Sequence, residues 1–269
     1  MNKIINGNIT IYMQDLRLKR DIGYPYVIKP GTTLNDILDI NKDGYTTTIY
    51  PTIQYFCIGV GGKRLVNNTN YTISQHSAKD VQPFDMIPFV LRRVKDDLGT
   101  ELRKEYSFRK KIVVDGVNYI GYYLKRIPKI ISRDEFFKLS IDENKRNSLS
   151  ILNTNDMDII YPKPIDKEDL INHKEKATLI VKTNKFLFSL TEEELVELDN
   201  VMKILGKESR LTEISLCTAI NGIDVLAEPS KVQCGYFTTT DIDINLRISE
   251  KYPRSEERRV GKECLRLCR

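Results

Sequence analysis

The chain is poor in the residues that most often carry chemistry. Its 269 residues include two histidines, His76 and His173, and five cysteines. A Ser-His-Asp or Cys-His centre would have to use one of those imidazoles, and neither stands beside a nucleophile signature such as GxSxG. His76 lies in the polar loop SQHSAKD and reads as a loop hydrogen-bonding residue, whereas His173 lies in a charged, linker-like stretch. Cys57, Cys217 and Cys234 sit in apolar runs (YFCIGV, ISLCTAI, VQCGYF) at spacings that fit neither a zinc site nor a disulfide framework. They read as small core hydrophobes in a reducing compartment. No stretch approaches the roughly 20 apolar residues of a membrane span, and the opening MNKIINGNITIYMQ lacks the apolar run of a signal peptide. The expectation is a soluble, intracellular protein with no membrane partner, no cofactor, no metal site and no catalytic residues.

A strong charge of one sign is also missing. The full chain has a net charge of +5, but its last sixteen residues, RSEERRVGKECLRLCR from Arg254 to Arg269, hold six basic and three acidic residues. The run RSEERRVGKEC resembles the in-frame translation of a short-read sequencing adapter. Residues 254–269 are therefore expected to be a non-native tail on a gene from bulk-sequenced, metagenomic DNA, with the natural sequence cut near Pro253. Without them 36 basic face 34 acidic residues, a net of +2. That balance gives no global electrostatic reason to bind nucleic acid. Cys264 and Cys268 leave with the tail.

What is present has mainly a period of two. Residues 240–248 (TDIDINLRI) alternate apolar and polar, as a half-buried strand does. The clearest hairpin runs from Tyr106 to Arg126, where two β-rich segments flank Asp115 and Gly116, a pair suited to the positive φ angles of a tight turn. Further strands are expected at 4–13, 46–60, 84–94, 178–189 and 213–220, with Pro51 marking 46–60 as an edge. Thr191 to Glu194 spell a capping box, with Leu190 and Leu195 as a hydrophobic staple and Gly206 to end the helix. Ser132 to Glu135 spell a second box, and short helices are expected at 34–40 and about 97–105. The polar stretch 140–176 reads as a linker or long loop. The fold expected is α+β, mainly antiparallel β with a few short helices: a β-rich domain over 1–139 and a smaller α+β portion over 177–253.

Three motifs bear on chemistry. GVGGKR, Gly59 to Arg64, follows a strand, but its spacing is not that of a P-loop and Arg64 stands where a hydroxyl is needed, so it reads as a glycine-rich strand exit. Asp96, Asp97 and Asp115 raise a metal-dependent nuclease as a third alternative, but they are better explained by a helix start and a turn. From Arg92 to Arg133 twelve basic residues outnumber five acidic ones, interleaved with Tyr106, Phe108, Tyr119, Tyr122 and Tyr123. Such a strip can grip a nucleic-acid backbone and stack bases, or form a complementary protein interface. The protein interface is preferred because the body as a whole is not basic. Arg92, Arg93, Arg109, Lys110, Lys111, Tyr122, Lys125 and Arg126 are the candidate partner-binding residues.

The segment HSAKDVQPFDMIPFVLRRVKDDLGTELRKEYSFRKKIVVDGVNYIGYYLKRI resembles one in virion structural proteins of large tailed bacteriophages. There a loop histidine, an IPF strand and a YxxR hairpin ending in AYYLK-like residues recur. LTEEELVELDNVMKILGKESRLTEISLCTAINGID is similar to their helix and following strand, although Ala219 to Asn221 intervene where a shorter turn is usual. The likeness covers about 76–127 and 188–225. By analogy it implies a tail, baseplate or neck component, in the virion and in host cytoplasm during assembly. Its partners would be other virion proteins, with self-association or nucleic acid as further candidates.

Overall fold

TIQYFCIG, Thr52 to Gly59, is apolar at odd and even positions alike over its second half, the pattern of a strand covered on both faces. The computed structural model describes residues 9–40, 44–67, 70–141, 147–151, 179–221, 229–239, 244–245 and 265–268. In chain order the elements are α1 (Ile11–Ile22), β1 (Tyr26–Ile28), α2 (Leu34–Ile37), β2 (Tyr45–Thr47), β3 (Thr52–Gly59), β4 (Lys63–Asn67), β5 (Asn70–Ile73), β6 (Met86–Ile87) and β7 (Val90–Arg93). There follow α3 (Thr100–Arg103), β8 (Tyr106–Val114), β9 (Val117–Arg126), β10 (Lys129–Ile141), β11 (Asn147–Ile151), β12 (Leu179–Phe188) and α4 (Glu192–Ile204). The last are β13 (Arg210–Leu211), β14 (Glu213–Asn221), β15 (Pro229–Thr239), β16 (Ile244–Asn245) and β17 (Leu265–Cys268). The described fold is α+β and mainly antiparallel β. No described helix is long and apolar enough to cross a membrane.

Contacts divide the chain into two units, described residues of 3–128 with 189–263, and of 129–188 with 264–269. The sequence reading places its division at the polar stretch 140–176 instead. The difference arises because β14 pairs antiparallel with β3, setting Leu216 opposite Phe56, so the C-terminal portion completes the N-terminal sheet. The first unit's main sheet runs β15-β14-β3-β9, with β8 on the outer side of β9. β7 and β6 continue along the inner sides of β9 and β3. On one face Tyr55, Cys57, Phe108, Tyr123, Leu124 and Cys217 pack with Leu34 and Leu38 from α2 and its end. On the other Phe56 meets Phe89 edge-on, with ring centroids 5.1 Å apart. Cys57 and Cys217 are buried thiols with sulfurs 3.7 Å apart; the side chain of Cys234 lies outside the described set. In the second unit β10 lies between β11 and β12, and β17 pairs with the other side of β12.

The Asp115–Gly116 turn forms as expected, with φ of 49° and 77°. So does the capping box of α4, closed by the Thr191 and Glu194 side chains. Four expectations are corrected. The expected strand at 4–13 gives way to α1, whose Met13 and Leu16 are buried and whose end at Gly23 adopts the left-handed conformation; residues 1–8 lie outside the described set. The Ser132 capping box starts no helix: 129–141 is a strand, and its register with β12 shifts between Ile131 and Glu135. The local turn preference of Ser132 and Asp134 is absorbed as a bulge, while pairing with β12 before and after it keeps the segment extended. Pro51 precedes a central strand, where its missing N–H costs the ladder nothing. The expected strand at 84–94 divides at Pro88 into β6 and β7. Of the expected strand at 240–248, Ile244 and Asn245 are strand and the rest lies outside the described residues.

Candidate functional site

The strip at 92–126 is built on two half-buried acids. Asp97 accepts hydrogen bonds from the Leu98 amide (2.8 Å), the Tyr122 hydroxyl (2.7 Å), Arg109 Nε (3.0 Å) and Arg109 guanidinium (2.7 Å), and also from Arg103. Burial disfavours its charge, but the Tyr122 and Arg109 hydrogen bonds outweigh burial and hold the Asp97 carboxyl below its usual value. Burial, together with the same carboxylate, pushes the Tyr122 hydroxyl upward. Glu194, at the start of α4, accepts from Lys125, from the Tyr106 hydroxyl (2.8 Å) and from the Thr191 amide (2.8 Å). Burial again opposes the charge, and Lys125, the Thr191 amide and Tyr106 bring the Glu194 carboxyl below its usual value.

A backbone irregularity sets these two centres side by side. Phe108 has φ of 58°, which costs a bulky residue on the order of 1–3 kcal/mol. In a regular strand Tyr106 and Arg109 would face opposite ways. Here Tyr106 and Tyr122 have rings 6.3 Å apart, and Arg109 shares the carboxylate that Tyr122 binds. Phe108 itself turns into the core beside Tyr123 and Leu124, and its burial offsets the strain.

The eight partner-binding candidates therefore separate into two groups. Arg109, Tyr122 and Lys125 point inward at Asp97 and Glu194. Arg126 donates to the Tyr55 hydroxyl (3.3 Å) and lies over that ring, and Arg92 pairs with Glu197 of α4 (2.8 Å). The side chains of Arg93, Lys110 and Lys111 make no hydrogen bond or ion pair among the described residues, and that of Lys95 beside them makes none either. Arg92 and Lys111 both oppose Ile120, and Leu91 and Lys110 both oppose Gly121, so Lys110 and Lys111 lie on opposite faces of the edge strand. Val94, Val113 and Val117 are exposed. β8, which carries Lys110 and Lys111, has a strand neighbour on one side only among the described residues.

A second centre was not legible in the sequence. Glu213 opens β14 with its side chain fully buried. Its carboxylate accepts from the amides of Gly61 (2.7 Å) and Phe84 (2.8 Å), with Asp85 N farther off at 3.4 Å. His76 Nε2 lies 2.8 Å from Glu213 Oε1, and Nδ1 lies 3.1 Å from Asp80 Oδ2. The Phe84 ring stacks on the imidazole at 4.1 Å. A Cβ on Gly59 would stand 2.6 Å from the Glu213 carboxylate, and one on Gly61 would stand 2.8 Å from the Asp85 amide. The GVGG run thus lets the backbone approach the Glu213 carboxyl closely, Gly61 donating to it while the Gly62 amide donates to the Thr212 hydroxyl (3.0 Å). Its signals in the sequence were the loop histidine, read as a hydrogen-bonding residue, and a glycine-rich strand exit whose spacing suits no phosphate; neither pointed to Glu213. Among the described residues no three acids, histidines or cysteines come together to hold a metal ion.

Among known proteins, a family model described as a family of unknown function (DUF7208) matches residues 2–253. The stretch 254–269 lies outside that match. No curated protein and no solved structure matches the chain.

Proposed function

The chain belongs to this family of unknown function, and from that premise we propose that it is a non-enzymatic bacteriophage virion structural protein, a tail or baseplate component that works by docking onto neighbouring proteins. The carrying observation is the division of labour in the basic strip. Arg109, Lys125 and Tyr122 are turned inward onto acids and stiffen the hairpin and α4. The side chains of Arg93, Lys95, Lys110 and Lys111 are left without described partners, and Val94, Val113 and Val117 are exposed. A rigid hairpin edged with cations and apolar side chains suits a complementary acidic protein surface, where charge steers and apolar area holds. The resemblance of 76–127 and 188–225 to virion structural proteins supports the same reading. Nucleic acid is the weaker partner because Tyr122 and Tyr123 are buried and Tyr106 is bound to Glu194. None of these three rings is displayed for base stacking.

The test is binding of the purified chain to each protein encoded beside its gene, measured by calorimetry. Lys110→Glu with Lys111→Glu is expected to weaken the positive pair about tenfold or more by charge reversal, with an unchanged melting temperature. Magnesium-dependent DNA cleavage, or DNA affinity that falls steeply with salt while no neighbour binds, would refute the proposal.

A further inference from the structure

We propose that residues 74–85 form a pH-sensitive strap, closed while His76 bridges Glu213 of the sheet to Asp80 of the strap as an imidazolium, and loosened when that bridge gives up its proton. The geometry carries this. Both ring nitrogens lie within hydrogen-bond reach of a carboxylate oxygen, at 2.8 and 3.1 Å. An ionised carboxylate only accepts, and a neutral imidazole has a single N–H. Only the doubly protonated ring can satisfy both contacts. With one proton gone, a ring lone pair faces a carboxylate lone pair inside the protein, where screening is weak.

Each partner has further donors. Glu213 also accepts from the Gly61 amide outside the strap (2.7 Å) and from the Phe84 amide within it (2.8 Å), which keep its carboxylate facing the ring. Asp80 is held by the amide of Ser77 (2.7 Å) and its hydroxyl (3.0 Å). The charged groups acting on His76 are Glu213 from β14 and Asp80 from the strap, and Phe84 covers a ring face. The nearby Lys207–Asp85 pair, at 2.6 Å, is largely exposed and holds the far end of the strap to the end of α4. Burial works against the imidazolium, but the hydrogen bonds and charges of Glu213 and Asp80 prevail and raise the His76 value. A raised folded value means that the stabilisation is complete below the unfolded value of about 6.5 and is lost as pH rises through the folded one.

The strap connects to more than the sheet. The Ile11 amide, at the start of α1, donates to Ala78 O (2.7 Å), Ser74 N donates to Gly62 O (2.9 Å), and Val60 N donates to Asp85 O (2.9 Å). Loosening the strap therefore loosens the glycine loop and the first turn of α1. That helix shows Ile11, Leu18 and Ile22 on its outer face, opposite the buried Met13 and Leu16, so the strap controls how firmly this apolar stripe is held. The inference is independent of the docking hairpin, which contains none of these residues.

Hydrogen exchange of the full chain, read by mass spectrometry and corrected for intrinsic rates, tests it between about pH 5.5 and about pH 8.5. Protection in 74–85 and in the first turn of α1 is expected to fall about tenfold or more across that range, while α4 stays constant. His76→Gln, which cannot titrate, should show a flat profile. Asp80→Asn, which keeps the ring but removes one anion, should loosen at lower pH than the wild type. Constant protection of 74–85 in the wild-type protein, or the same pH-dependent loss in His76→Gln, overturns the proposal. If His76→Gln fails to fold, the wild-type and Asp80→Asn profiles decide it.

Discussion

Asp97 gathers Tyr122, Arg103 and Arg109 around one carboxylate and so fixes which cations of the strip remain outside. Its folded value is lowered, so its stabilisation is present above the unfolded carboxyl value of about 4 and is lost as pH falls through the folded one. Glu194 is shifted the same way. Denaturant unfolding from neutral to acid pH should therefore show the wild type losing stability on acidification. Asp97→Asn should begin less stable and lose less. Equal acid slopes for the two proteins would count against this assignment. The sequence revealed the cations but not their fates. Asp97 read as a helix start, and it lies 25 residues from Tyr122 and 12 from Arg109, distances no local pattern spans. Sequence also placed Tyr122 and Lys125 with the exposed candidates, whereas folding buries both.

Elements whose bonds close within a few residues were the legible ones. The α4 capping box links Thr191 with Glu194, three positions apart, and the Asp115–Gly116 turn needs two adjacent residues able to take positive φ. Thr191→Ala should cost about 1 kcal/mol and lower the melting temperature by a few degrees; no change would mean that packing of Leu198, Val201 and Met202 alone holds the helix. β10 shows the opposite case. Its Ser132–Glu135 box is as well formed in sequence as that of α4, yet pairing with β12 on either side of it decides its conformation. A cap contributes about 1 kcal/mol, less than a strand's backbone bonds and neighbours together. In α1 the alternation read at 4–13 gave way to a helix because Met13 and Leu16 have a core to enter.

At the scale of the molecule, the second unit is inserted between β9 and α4, and β17 adds four residues to the edge of β12. An open edge pairs with almost any short extended segment, and four residues bonded on one side contribute little. A chain ending at Pro253 is therefore expected to match the full chain in melting temperature by calorimetry; a substantially lower value would make 254–269 a structural part of the protein. The sequence by itself determined the β-rich α+β class, the hairpin and the α4 cap, because periodicity, turn chemistry and capping act between near neighbours. Tertiary structure alone decided that β14 completes the first sheet, which cations remain outside, and that the glycine-rich loop closely approaches Glu213. It also joined Glu213 to His76, 137 residues earlier. The reason is common to all four: the partners lie far apart in sequence, and only long-range strand pairing sets where they meet.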